Sequence, residues 1–258
     1  VSGGPDSTAL LLLAASALPG RVEAASVDHG LRPEAAAEAA DVSSLCERMC
    51  VPHRVLPVEV GYGNVQAEAR RARYAALVGW AGERGLAALA TGHHADDQAE
   101  TLLLRLNRAS GVAGLAGTRA RGLTPVGQLP LIRPLLAWRK AELEALISTA
   151  GVGVATDPSN LDDRFDRARL RKALSRAAWL DVAAIAESAG HLADADAALD
   201  WAARREWQEC VAASGLGLTY RPQAPRAIAL RVLARIVLQL DGEEPRGGSL
   251  ARLFDALV

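Results

Sequence analysis

Apolar positions along the first 150 residues recur with two alternating periods. Residues 7–18 hold a leucine-rich block with helical spacing, and residues 22–27 alternate enough to form a strand. Residues 34–48, rich in alanine and glutamate with apolar spacing near 3.6, predict a helix, and the β-branched stretch 53–60, punctuated by proline, predicts a strand. The rhythm repeats with a helix over 66–84, a short buried strand over 86–90 and a helix over 95–108 that carries Leu102, Leu103, Leu104 and Leu106. Parallel neighbours need a crossover, so strands that alternate with helices at this spacing predict an α/β fold with a parallel, Rossmann-like sheet.

Between residues 109 and 123 the glycines Gly111, Gly114, Gly117 and Gly122 crowd together, which predicts an irregular loop of the kind that touches ligands. A helix over 138–150 follows, ended by Gly151. Asp157-Pro158-Ser159-Asn160 then predicts a turn, leading into a charged helix over 162–177. From residue 181 onward the pattern becomes a run of amphipathic helices, including 227–240, with no strand rhythm. The expected organisation is an α/β domain over 1–180 and a smaller helical domain, cut short at its end, over 181–258. A nucleotide-binding glycine loop normally follows a buried strand. Here such a loop opens the chain, so a strand is expected to precede it in a longer protein.

Composition narrows the classes. Of 258 residues, 50% are hydrophobic and 23% charged, which argues against wholesale disorder and a fibrous chain. No apolar run approaches the about 20 residues of a membrane-spanning helix, and no secretory signal is visible. Three scattered cysteines argue against a disulfide framework and for a reducing, cytoplasmic setting. With 29 basic and 30 acidic residues the net charge is −1, so any affinity for a polyanion must be local. The strongest local excess lies over 160–176, with six basic and three acidic residues. There Arg164, Arg167 and Arg171 are spaced to share a helix face suited to a phosphate backbone. A salt-bridged helix using Asp162, Asp163 and Asp166 is an equal alternative.

Ser2-Gly3-Gly4-Pro5-Asp6-Ser7 opens the first helix. Its glycines let backbone N–H groups converge without Cβ obstruction, and the helix N-terminus adds partial positive charge. Ser2 and Ser7 add hydroxyl donors for phosphate oxygens. Asp6 would repel a phosphate unless a cation intervened, so it is the candidate Mg²⁺ ligand. The absence of Gly-Lys-Ser/Thr excludes a Walker A loop, and the bland alternative is an ordinary N-cap.

Further motifs surround this loop. Val27-Asp28-His29-Gly30-Leu31-Arg32-Pro33 ends the second predicted element at the sheet edge where parallel α/β folds bind ligands. His93-His94-Ala95-Asp96-Asp97-Gln98-Ala99-Glu100-Thr101 occupies the equivalent place further on. On a helix His93, Asp97 and Glu100 share a face, and a carboxylate pair there would suit an ammonium or Mg²⁺. Arg70 and Arg73, three residues apart, suit phosphate oxygens.

The opening loop resembles the pyrophosphate-binding loop of N-type ATP pyrophosphatases, the PP-loop superfamily. Taken with residues 27–33, 69–74, 93–111, 114–117 and 157–160, the first 180 residues resemble the tRNA(Ile)-lysidine synthetase family closely. The resemblance implies a carbon–nitrogen ligase that uses ATP, Mg²⁺ and L-lysine to convert the wobble cytidine of isoleucine tRNA with a CAU anticodon into lysidine. It implies catalytic roles for Asp6, Arg73 and His93, and nucleotide contacts from Ser2, Gly3, Gly4, Pro5, Asp6, Ser7 and, more weakly, His29. Asp97 and Glu100 are then candidates for lysine, and Arg167 and Arg171 for tRNA; a homodimer is compatible with the sequence but not fixed by it. One departure is Ala168, where the family usually has asparagine after Arg167. The competing readings are a PP-loop tRNA thiolase and a nucleotide-binding regulatory module. Against the thiolase, Cys46, Cys50 and Cys210 lack Cys-x-x-Cys spacing.

Overall fold

The computed structural model describes residues 1–29, 34–59, 65–155, 166–215, 217–243, 245 and 247–257. It divides into two compact units, residues 1–190 and 191–258.

In the first unit the elements run α1 (Pro5–Ala17), β1 (Ala24–Asp28), α2 (Glu34–Arg48), β2 (His53–Pro57), α3 (Val65–Glu83), β3 (Leu89–Ala90) and α4 (Ala95–Leu106). After these come α5 (Val112–Leu115), β4 (Arg121–Leu123), β5 (Pro130–Ile132), α6 (Lys140–Ala150) and α7 (Asp166–Arg176). Strands β1 and β2 pair in parallel, from Ala24 opposite His53 to Asp28 opposite Pro57. β3 and β5 are also parallel, with Leu89 opposite Leu131. Period-2 alternation decides what the strands bury. Ala25 and Leu56 pack with Tyr74, Trp80 and Ala81 of α3. The neighbouring Ala24 faces the other way, onto Leu11 of α1 and Val42, Leu45 and Cys46 of α2. Helices therefore cover both faces of the strands, as a parallel sheet requires. Their loops open at the strands' C-terminal ends.

Helix α1 starts where the sequence favours it. Pro5 at the first helical position has its φ preset and lacks the N–H that would be orphaned there. Helix α6 ends at Gly151, whose φ of +64° suits the left-handed residue that closes a helix. It begins two residues later than the periodicity predicts, because distant groups set its start. The Trp138 carbonyl accepts from the Ala95 N–H at 2.8 Å, and Asp96 accepts from the Lys140 N–H at 2.8 Å.

Two expectations are corrected. The glycine-rich stretch 109–123 is not wholly irregular: it contains α5 and β4, and β4 pairs antiparallel with β5. Both elements are three or four residues long, too short to impose a period on the sequence. In the second unit, helix α9 (Arg226–Asp241) and helix α10 (Gly247–Leu257) agree with helical patterning. Between α8 (Val182–Cys210) and α9, however, lies a β-hairpin of β6 (Val211–Ser214) and β7 (Gly217–Tyr220). Its turn includes Gly215 at φ +58°, a geometry glycine adopts at little cost. The Asp157–Asn160 turn, the start of the charged helix with Arg164, and residues 30–33 lie outside the described residues. Among the described residues no helix is long and apolar enough to cross a membrane.

Candidate active site

The opening turn is bare of capping side chains. Gly4 is the N-cap of α1 and makes no side-chain cap hydrogen bond, so the ordinary N-cap role for Ser2 or Asp6 is not realised. The two serines instead engage each other. The Ser2 N–H donates to Ser7 Oγ at 3.1 Å, the hydroxyls lie 3.0 Å apart, and Ser7 Oγ donates to the Gly4 carbonyl at 3.1 Å. Gly3 has a φ of +79°, the left-handed turn that lets consecutive amides point to one side. A turn of this shape at a helix N-terminus is suited to an anion.

A second loop closes onto this turn. A Cβ on Gly92 would stand 2.7 Å from the Asp6 carbonyl oxygen and 3.2 Å from the Ser7 nitrogen, so only glycine lets the β3–α4 connection approach so closely. Gly92→Ala is expected to displace the nest, raising the apparent Kd for ATP at least about tenfold, since overpacking against backbone costs about 1–3 kcal/mol. Calorimetric titration with ATP and Mg²⁺ checks this, and unaltered affinity would mean that the approach of the two loops is irrelevant to binding.

Behind Gly92 sits His94, which the sequence reading passed over in favour of His93. It is 2% exposed, and its Nε2 lies 3.5 Å from Asp6 Oδ2. Asp96 and Asp97 approach it at 3.7 and 3.5 Å. Burial alone would lower its pKa. The contact with Asp6 and the charges of Asp97, Asp6 and Asp96 outweigh that and raise it. His94 is also the N-cap of α4: its N–H donates to Asp97 Oδ2 at 3.1 Å in a reciprocal capping arrangement. A His-x-x-Asp spacing ahead of an apolar run was the signal that could have revealed it.

Asp6 has two unlike oxygens. Oδ2 faces His94, whereas Oδ1 is buried with no hydrogen-bond partner. An anionic oxygen left in that state is costly unless a cation completes it. That fits Mg²⁺, which takes one or two carboxylates and fills its remaining positions with phosphate oxygens and water. Among the described residues no cluster of three or more His, Cys, Asp or Glu could hold a metal by itself.

The remaining candidates separate. Asp96 is bound by Arg139 Nε and Nη2 at 3.2 and 3.1 Å, and so ties α4 to α6. Arg73 stands near His29, whose pKa is lowered by burial first and by the Arg73 charge second; His29 Nδ1 is buried without a partner. Glu100 does not offer a free carboxylate. It is 1% exposed, and both oxygens are taken by Arg171, Nε at 2.7 Å and Nη2 at 3.1 Å. From sequence the two residues suit different substrates; in the fold they form one ion pair, buried on the Glu100 side. Arg167, one turn before Arg171 on α7, has Nη2 3.4 Å from Thr101 Oγ1.

Arg167 instead lines a cavity of about 410 Å³ together with Arg70, Arg105, Arg133, His93 and Thr101. Gly114, Gly117 and Thr118 form another part of its wall, and among the described residues no carboxylate lines it. Four arginines on one wall are suited to an anion. Arg133 shows the strain: burial first, then the neighbouring Arg70, hold its pKa below the ordinary arginine value. His93, with Nδ1 3.0 Å from Thr91 Oγ1, is pushed down to about 4, mainly by burial, with Arg133, Arg70 and Arg167 adding to it against the opposing Asp97. Its ring is therefore neutral at pH 7. Unfolded, it would titrate near 6.5, so on acidification the unfolded chain takes up this proton first, and stability contributed by neutral His93 is lost as pH falls from about 6.5 toward 4. Imidazole NMR shifts should show His93 still neutral at pH 5.5; a midpoint above 6 would contradict the cationic surroundings.

Comparison with known proteins follows this geometry. Residues 1–178 match the PP-loop domain family. Across 261 aligned residues the chain is 50% identical to the tRNA(Ile)-lysidine synthase of Novosphingobium aromaticivorans, covering 100% of this chain and 80% of that protein. It is 40% identical over 264 residues to the enzyme of the same name from Zymomonas mobilis, again covering 80% of that protein. Among solved structures, a U34-tRNA thiolase from Methanococcus maripaludis that holds a [4Fe-4S] cluster superposes with a TM-score of 0.60. That likeness has 18% identity and covers 74% of this chain and 70% of the other. It bears on the fold alone.

Proposed function

The chain belongs to the tRNA(Ile)-lysidine synthase family of PP-loop, ATP-binding enzymes, and from that premise we propose how its residues divide the reaction. The substrates are ATP, L-lysine and an isoleucine tRNA with a CAU anticodon, in the cytoplasm where such a tRNA is processed. In the first step the C2 carbonyl oxygen of the wobble cytidine attacks the α-phosphate of ATP, and pyrophosphate leaves. In the second, the lysine ε-amine attacks C2, AMP leaves with the former carbonyl oxygen, and the amine loses a proton.

The observation that carries this reading is the uncapped Ser2–Ser7 turn beside the unpartnered Asp6 Oδ1. The backbone amides of the turn, with the Ser2 and Ser7 hydroxyls, take the pyrophosphate oxygens. Asp6 Oδ1 would hold Mg²⁺, which supplies neutralisation of the charge developing on the leaving pyrophosphate. His94 holds Asp6 in place through Oδ2, leaving Oδ1 for the cation. The arginine cavity receives the phosphate of the reacting nucleotide, and neutral His93 on its wall accepts a hydrogen bond or a proton there. Arg73 and His29 form the neighbouring edge of the nucleotide site.

For the second substrate we assign Asp97 to the lysine ammonium. Glu100 acts instead by holding Arg171, whose charge also reaches Asp97 and Asp6. Asp97→Asn is expected to raise the lysine KM by at least about tenfold, the loss of about 1.4 kcal/mol, with the ATP KM changed much less. Initial rates at varied lysine measure it, and a lysine KM equal to wild type would remove the assignment. The overall reading is tested by incubating the protein with ATP, labelled lysine and the CAU-anticodon tRNA. Label in the tRNA with equimolar AMP and pyrophosphate is the expected result. Sulfur incorporation from a sulfide donor would favour a thiolase, and ATP binding without turnover a regulatory module.

A further inference from the structure

The glycine-rich wall of the cavity is held by a single side chain of helix α4. Gln98, 5% exposed, donates from Nε2 to the Thr118 carbonyl at 2.8 Å and accepts from the Thr118 N–H with Oε1 at 2.7 Å. Its amide thus satisfies the donor and the acceptor of one residue, as a neighbouring strand would. The orientation is fixed, because a flipped amide would set N–H against N–H and oxygen against oxygen. Gly117 makes the approach feasible: it has a φ of +60°, and a Cβ there would stand 2.7 Å from Gln98 Oε1.

The clamp reaches further than the loop it touches. The next residue, Arg119, presents its carbonyl to Arg133 Nη1 at 2.7 Å, and the Arg133 N–H donates to the Ala120 carbonyl at 2.9 Å. Arg133 is thereby anchored at one end of its guanidinium, while its Nε stays buried and without a hydrogen-bond partner. Along the chain of contacts Gln98 sets Thr118, Thr118 sets the Arg119 carbonyl, and that carbonyl sets where the Arg133 guanidinium stands in the cavity.

We propose that Gln98 is a positioning residue for the adenylation step, holding the Thr118–Arg119 backbone so that Arg133 meets the phosphate of the reacting nucleotide. This rests on the assignment of that cavity to the nucleotide. Glutamate would not serve: its carboxylate would keep the Thr118 N–H but face the Thr118 carbonyl with negative charge. An aliphatic side chain would lose both bonds.

The test is a double-mutant cycle on single-turnover adenylation, using full-length chain, CAU-anticodon tRNA and ATP with Mg²⁺. Gln98→Met is expected to slow adenylation by about tenfold or more, because small misplacements of a charged group are costly in rate, with ATP affinity within about twofold of wild type. In an Arg133→Lys background the same change should cost less than about threefold, since the group it positions is already altered. Additive losses, or a Gln98→Met rate equal to wild type, would overturn the proposal. So would ATP affinity falling in parallel with rate, the signature of a general loss of structure. If Gln98→Met does not fold, Gln98→Glu, which retains the acceptor half, is read through the same cycle. A wild-type protein that leaves the tRNA unmodified would overturn the functional assignment; a wild-type protein that modifies it, with variants to match, would overturn the clamp alone.

Discussion

Asp6→Asn should reduce pyrophosphate release by about 10²–10³-fold, the scale on which a preorganised electrostatic contact to a transition state is lost. The substitution keeps the size of the side chain and removes its charge, so the fold has little reason to respond. The charge matters in opposite directions with and without metal. Without Mg²⁺, a carboxylate beside the anion nest repels the triphosphate, and Asp6→Asn should bind ATP more tightly than wild type. With Mg²⁺, the buried Oδ1 that now lacks a partner becomes a ligand, and the variant should bind more weakly and need at least about tenfold more Mg²⁺ for half-maximal rate. Equilibrium binding in EDTA and in Mg²⁺, with pyrophosphate release followed in parallel, separates the cases. A variant weaker in both conditions would point to lost packing against His94 rather than lost metal.

The second large effect is asymmetric by construction. Arg171→Ala strands Glu100, a carboxylate 1% exposed, without its only described cationic partner in the buried pair. An uncompensated buried charge costs about 3–5 kcal/mol, and the 35% exposure of the Arg171 side chain, which lets water in once it is cut back, places the expectation at the lower end, about 3 kcal/mol. Glu100→Gln removes the buried charge as well and leaves a guanidinium that reaches solvent, so it should cost only about 1–2 kcal/mol. Urea denaturation of the two variants measures the difference. Equal losses would mean that the pair is hydrated, and a larger loss for Glu100→Gln would reverse the account of which partner is trapped. Arg171→Ala should also lower activity, because Arg171 contributes charge toward Asp97 and Asp6.

What could be read from sequence was local. The nest was legible because its glycines, serines and aspartate are contiguous and their chemistry depends on backbone freedom and helix polarity, which six residues suffice to specify. The parallel strand pairs and most first-unit helices were legible from periodicity. Adjacent histidines were not separable in this way: a loop residue and a helix N-cap differ in direction by a dihedral angle, so His93 went to the cavity wall and His94 to the core beside Asp6. The partnership of Glu100 with Arg171 spans 71 positions, and nothing local in either segment announces it. Spacing alone grouped Arg70 with Arg73 and Arg167 with Arg171. In the fold Arg70 and Arg73 both lie over the Tyr74 ring, and Arg167 and Arg171 meet the adjacent Thr101 and Glu100 of α4, while Arg70 and Arg167 also line the cavity. Gly92 and Gly117 are glycines for reasons found only in what approaches them, and the hairpin of the second unit is too short for alternation to register.

In the proposed reaction the Ser2–Ser7 turn, with Asp6 behind it, receives the phosphates that leave. This is tested most directly by a crystal structure with Mg²⁺ and α,β-methylene-ATP, which resists cleavage at that bond. The account predicts the β- and γ-phosphates on the amides of the turn and the cation on Asp6 Oδ1. A triphosphate seated among Arg70, Arg105, Arg133 and Arg167, with the turn left to water, would contradict it.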